Sequence, residues 1–127
     1  MKISRDVDGD KYIYIGQFRQ GTKDADGIGI QVWRDGTIYE GYVKNGKRNG
    51  TGRYIWPTGD YYIGEWKNGQ REGHGDLHIY KGPSFSGFFV NNEMHGQGIL
   101  KQSSRVFTKG EWRHSVYQKK NSHCTIF

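Results

Sequence analysis

The run Tyr39-Glu-Gly-Tyr-Val43, Lys44-Asn-Gly-Lys-Arg-Asn49, Gly50-Thr-Gly-Arg-Tyr-Ile-Trp56, Pro57-Thr-Gly-Asp60 decides the fold. Strand alternation places Tyr39, Gly41 and Val43 on one face of a first strand, and Gly50, Gly52, Tyr54 and Trp56 on one face of a second. Asn45-Gly46 between them is a hairpin-turn signal, because both residues tolerate positive φ, and Asn68-Gly69 repeats it. Pro57-Thr-Gly59 supplies the turn that leads out. The unit reads as a β-hairpin.

That unit recurs along the chain. Gly27, Gly50, Gly73 and Gly96 are 23 apart, as are Gly29, Gly52, Gly75 and Gly98, and Gly41, Gly64, Gly87 and Gly110. A fourth comb, Gly36, Gly59 and Gly82, ends where Arg105 takes the next place. Gly16 precedes Gly41 by 25, so the first unit has two extra residues, within Thr22–Asp26. A fixed period of this length is the mark of a repeat architecture.

Composition agrees. The 127 residues fit one domain. They include 20 Gly, 11 Ile and 6 Val against two Leu and one Ala, which favours strands and excludes a helical bundle. Hydrophobic residues make up 33%, too few for a thick two-layer core, yet aromatic residues make up 15%, too many for a disordered chain. The expected object is thin, with large rings lying over a glycine-rich backbone, much as aromatic residues rescue strand glycines. Tyr62 and Trp66 around Gly64, and Phe85 and Phe89 around Gly87, fit that expectation. A phosphate-cradling role for the glycines would need a helix after the turn, and no helical pattern follows any of them.

Tyr39-Glu-Gly-Tyr, Tyr62-Ile-Gly-Glu-Trp66-Lys-Asn-Gly69 and Gly73-His-Gly75 resemble the MORN repeat (membrane occupation and recognition nexus), whose pattern is Tyr-x-Gly-x-Trp, a turn with Gly, then Gly-x-Gly. The resemblance covers residues 9–112, with units starting near Tyr14, Tyr39, Tyr62, Phe85 and Phe107. Residues 1–8 read as a lead-in and 113–127 as a basic tail. The fourth unit departs from the pattern with Phe85 for Tyr, Phe89 for Trp and Asn92 for the turn Gly. The resemblance implies an all-β fold: stacked hairpins in an elongated, single-layer, twisted antiparallel sheet with an aromatic-lined concave face. Open sheet ends invite self-association. Asp6, Asp8 and Asp10 at one end and Lys119 and Lys120 at the other are candidate guards.

No catalytic constellation is visible, and a non-enzyme without cofactor is expected. His74 and His78 lie four apart on a strand, about 13 Å, too far to share a metal ion. Rings such as Tyr39, Tyr54, Trp56, Tyr62, Trp66 and Phe89 cannot all be buried by a second layer, which the chain lacks, so an exposed strip is expected to form a groove for a partner helix or peptide; the alternative is that the rings stack on one another and on glycine, with the tail folded over them. The formal charge is +6, with residues 41–127 carrying 13 Lys/Arg against 6 Asp/Glu. Acidic proteins or anionic lipid suit that half, whereas the interspersed acids argue against nucleic acid. Cys124-Thr-Ile-Phe127 fits a prenylation pattern in part, Thr125 not being aliphatic, and Lys119 and Lys120 would add the electrostatic signal. No apolar run is long enough for a membrane-spanning helix, and the N-terminus is not a secretory signal. The expectation is a cytoplasmic scaffold subunit that binds protein partners in a cytoskeletal or ciliary, radial-spoke-like assembly. The alternative is a phospholipid-binding module on the cytoplasmic face of a membrane.

Overall fold

A computed structural model describes residues 2–5 and 9–119. These form one antiparallel sheet of β1 (Lys2–Arg5), β2 (Lys11–Phe18), β3 (Ala25–Trp33), β4 (Ile38–Lys44), β5 (Lys47–Ile55), β6 (Tyr61–Lys67), β7 (Gln70–His78), β8 (Ser84–Val90), β9 (Glu93–Lys101), β10 (Phe107–Arg113) and β11 (Val116–Tyr117). Their order in the sheet is their order in the chain. At a strand spacing of about 4.8 Å the sheet is on the order of 50 Å long. It runs past both ends of the 9–112 stretch: β1 pairs with β2 from within the lead-in, and β11 pairs with β10 from within the tail.

Register explains the glycine combs. Gly16, Gly29, Gly41, Gly52, Gly64, Gly75, Gly87, Gly98 and Gly110 are cross-strand partners in succession, a single row from β2 to β10. On the inner face, the ring of Tyr39 lies across Gly41 and Gly52, that of Tyr62 across Gly64 and Gly75, and that of Phe85 across Gly87 and Gly98. A Cβ at Gly52 would fall inside the Tyr39 ring, so side-chain-free backbone here is a packing requirement. Each tyrosine then reaches a bulged carbonyl in its own strand. Tyr14 donates to Gln17 at 2.7 Å, Tyr39 to Tyr42 at 2.7 Å and Tyr62 to Glu65 at 2.9 Å. The bulges recur in β2–β3, β4–β5, β6–β7 and β8–β9, one in each of these four hairpins, and a bulge raises the local twist.

The turns also interlock. Asn45 and Gly46 both have positive φ (51° and 76°), the requirement of a tight type I′ hairpin. Asn68-Gly69, Asn91-Asn92 and His114-Ser115 do likewise, so the turn survives where its glycine is lost. The second turn residue then donates its N–H one repeat back: Gly46 to Ala25, Gly69 to Arg48, Asn92 to Arg71 and Ser115 to Met94, at 2.9–3.1 Å.

The repeat stops for a visible reason. Phe85 pairs with Leu100, and Leu100 with Thr108, so Thr108 occupies the place of Tyr39 and Tyr62 and brings no ring. Phe107, the expected start of the fifth unit, is one residue out of register; it pairs with Lys101 and is exposed. Lys119 stands 23 residues after Gly96, and β11 has only two residues.

Candidate partner-binding groove

The six residues expected to line an open groove do not share one environment. Tyr39, Tyr62, Trp66 and Phe89 are buried, each at 5% exposure or less, whereas Tyr54 and Trp56 are half-buried. For these four of the six the expectation of an exposed strip is therefore corrected, in favour of the alternative of rings stacked on one another and on glycine. The rings bury one another over the glycine row. Trp66 meets Tyr39 and Tyr62 edge-on at 5.5 and 5.1 Å, and Tyr62 meets Phe89 at 5.1 Å, near-perpendicular geometries that suit aromatic quadrupoles. The indole of Trp66 donates to Gly52 O at 3.1 Å, so its polar atom is satisfied inside the layer. These four rings form a buried layer and do not line the groove.

The accessible groove meets that layer through Arg48, which lines the groove and lies over Tyr39 and Trp66. A cavity of about 540 Å³ is bounded by Tyr12, Gln31 and Trp33 from β2 and β3 and by the turns at Asn45–Arg48 and Asn68–Gln70, with Asn92 beyond. Trp33 packs against Tyr12 at 5.0 Å and Tyr54 at 6.0 Å, and Tyr54 packs against Trp56 at 4.7 Å. The half-buried rings therefore run Trp33, Tyr54, Trp56 along the inner face. The turn wall is held by the strands beneath it. Tyr12 Oη and Gln31 Nε2 donate to Gly46 O at 3.4 and 3.2 Å, and Arg48 Nη2 donates to Gly69 O at 2.7 Å.

Two guanidinium groups sit among the rings. Arg48 lies 4.9–5.9 Å from the centres of Trp33, Tyr39, Tyr54 and Trp66. Arg71 lies 5.4–5.7 Å from Trp56, Tyr62 and Phe89 and donates to Asn92 O at 2.6 Å. Cation–π attraction favours such sites for Arg. Burial lowers the pKa of Arg71, Tyr62 and Tyr54 oppose that shift, and nearby Arg48 adds to it. Burial also raises the Tyr39 and Tyr62 hydroxyls far above the ordinary phenol range, against the pull of Arg48 and Arg71 respectively.

Charge is segregated between the faces. From β2 to β11, Arg48 and Arg71 are the charged side chains at inward positions. The strand carboxylates Asp26, Glu40, Glu65, Glu72, Asp76, Glu93 and Glu111 alternate outward. On that outer face Glu40 pairs with Arg53, amid isoleucines including Ile13, Ile15, Ile28, Ile30 and Ile63, each 38–54% exposed. A second cavity of about 410 Å³, at the turn edge, is lined by Lys44, Lys47, Lys67 and three asparagines.

Trp33, Arg48 and the turn wall were missed among the candidate residues. Their signal lay in the period: Trp33 and Trp56 are 23 apart, as are Arg48 and Arg71. Lys119 is exposed, while Lys120 and Cys124 lie outside the described residues, as do Asp6 and Asp8. Among the described residues, no group of three His, Cys, Asp or Glu side chains is placed to hold a metal ion, and no helix is long and apolar enough to cross a membrane.

The MORN repeat family model matches residues 14–38, 39–61, 62–82 and 85–104, and the chain belongs to that family. MORN repeats are generally protein- or membrane-binding modules. No match is found among curated proteins.

Proposed function

We propose that this chain is a non-catalytic adaptor that holds an extended segment of a protein partner in the groove over Trp33, Tyr54 and Trp56. The carrying observation is that Trp33 stays half-buried while lining a cavity of about 540 Å³, with the half-buried rings of Tyr54 and Trp56 packed in series from it, whereas Tyr39, Tyr62, Trp66 and Phe89 are buried. Aromatic side chains in a preformed concavity are the usual anchors of an interface. The segment's apolar side chains rest on the rings, and the turn wall fixes its direction. A larger cytoskeletal or ciliary assembly is the proposed setting, supported by the resemblance of the repeats.

The test is affinity capture from a native extract with the wild-type chain, Trp33→Ala and an outer-face variant, Ile28→Ser. The expected result is a partner, identified by mass, that is lost with Trp33→Ala and retained with Ile28→Ser. The opposite pattern overturns the groove reading.

The competing proposal, a peripheral module on anionic phospholipid, is supported by the cleft of Lys44, Lys47 and Lys67. It requires sedimentation with phosphatidylserine vesicles that collapses as salt is raised.

A further inference from the structure

Resting on the groove reading above, we propose that the segment the groove takes is acidic: an extended peptide whose carboxylates face Arg48 and the turn lysines while its apolar side chains sit on Trp33 and Tyr54.

Charge complementarity carries the inference. The chain has 13 Asp and Glu, yet among the described residues none lines either the groove or the adjoining cleft. The groove contributes Lys47 and Arg48, and the cleft Lys44, Lys47 and Lys67. The two cavities share Asn45, Lys47 and Asn68, so one segment can run from the rings onto the lysine edge. Alternation sends every strand carboxylate from β2 to β11 to the other face, so the carboxylates nearest the groove are the loop residues Asp10 and Asp35, on the side of Trp33 away from Arg48 and the lysines.

The guanidinium groups are positioned before any partner arrives. Arg48 is tied to Gly69 O and Arg71 to Asn92 O, and rings flank both. Their planes are thereby fixed, which suits the forked recognition of a carboxylate. Arg48 also disfavours the charge on Arg71, so an anion placed near both relieves a repulsion already present in the free protein. A peptide is favoured over a membrane because Arg48 and Arg71 are half-buried on the inner face among the rings. A chain alternating acidic and apolar side chains enters such a groove, and a flat bilayer surface does not.

The experiment measures fluorescence anisotropy of a labelled peptide alternating Phe and Glu, with its Phe–Gln counterpart, against the full chain. The Phe–Glu peptide is expected to bind about tenfold to a hundredfold more tightly, the range for charge-assisted hydrogen bonds. Arg48→Met and the pair Lys47→Gln, Lys67→Gln are expected to weaken it about tenfold, with retained ellipticity as the check on folding. Arg53→Gln, which removes the same charge from the outer face, is expected to leave binding unchanged. Equal affinity for the two peptides overturns the acidic inference and leaves the groove intact. No binding of either, or binding of both unmoved by Trp33→Ala, overturns the groove reading itself. An Arg53→Gln loss equal to that of Arg48→Met reduces the effect to net charge and overturns the site. Phosphatidylserine vesicles that bind with the same Arg48 dependence and displace the peptide overturn the choice of partner in favour of lipid.

Discussion

The hydroxyl of Tyr62 donates to the carbonyl of Glu65 at 2.9 Å after crossing the Gly64–Gly75 pair. One repeat later Phe85 lies across Gly87 and Gly98 in the same way, its ring tip aimed as the Tyr62 ring is, with no hydroxyl to offer Phe88. Phe85→Tyr should therefore gain the missing bond. The expected stabilisation is about 1 kcal/mol, with Tyr62→Phe losing a similar amount, read from urea midpoints at constant slope. A destabilising Phe85→Tyr would mean that the fourth bulge is not built like the third.

The glycine row predicts a coupling. Gly52→Ala puts a methyl group into the Tyr39 ring without entering the left-handed region of φ, so its cost is steric. Overpacking of this kind costs about 1–3 kcal/mol. Gly36→Ala meets nothing within 4 Å, and only its φ of 99° opposes the change. In a double-mutant cycle, Tyr39→Ala should remove most of the Gly52→Ala penalty, giving a coupling of about 1–3 kcal/mol, whereas Tyr39 and Gly36 should be additive. Additivity at Gly52 would refute the ring-on-glycine account.

These positions also show what the sequence discloses. The period of 23, the Asn-Gly turns and the alternation around Gly41 and Gly64 are local facts, and they specify strand, hairpin and register together. The fate of the rings is not local. Ring-over-glycine packing is legible from the spacing of Tyr62, Trp66 and Gly64, but how completely such packing buries Tyr39, Tyr62, Trp66 and Phe89 depends on rings contributed by neighbouring repeats. Trp66 is sealed by Tyr39 from the preceding repeat and Tyr62 from its own, and Phe89 by Tyr62 from the repeat before it and Phe85 from its own. Arg48 was legible only by comparing columns: Ala25, Arg48, Arg71, Met94 and Tyr117 are 23 apart, and two guanidinium groups interrupt an otherwise uncharged series.

Alkaline pH should unfold the protein through its buried phenols. Burial raises Tyr39 and Tyr62 above the ordinary phenol value of 10.0, so the fold favours their neutral forms. For a group whose folded pKa is raised, the stability is complete below the unfolded value and is lost as pH climbs from there toward the folded one. Stability should thus change little from neutrality to about pH 10, then fall by up to about 1.4 kcal/mol per pH unit for each tyrosine. Stopped pH-jump absorbance should show their phenolate appearing with unfolding and not before it. The Tyr39→Phe, Tyr62→Phe double variant should lose stability less steeply above pH 10; an unchanged slope would place the alkaline sensitivity elsewhere.

Arg71 and Met94 occupy equivalent places, each opposite the buried ring of the preceding strand, Trp66 for Arg71 and Phe89 for Met94. The column therefore accepts an apolar chain where a partner charge is not wanted. Burying a guanidinium costs desolvation that its bond to Asn92 and its ring contacts only partly offset, and replacing a buried charge by an apolar chain of similar volume is often neutral or stabilising. Arg71→Met is expected to stay within about 1 kcal/mol of wild type. Arg71→Ala, which removes the stem packed over Tyr62 and Phe89, should cost about 2 kcal/mol. Thermal and urea unfolding of the two variants separates the stem from the charge. If Met restores stability, the positive charge at position 71 is not needed to hold the sheet. If Met is as damaging as Ala, the guanidinium bond to Asn92 holds the turn wall in place, and the charge is structural.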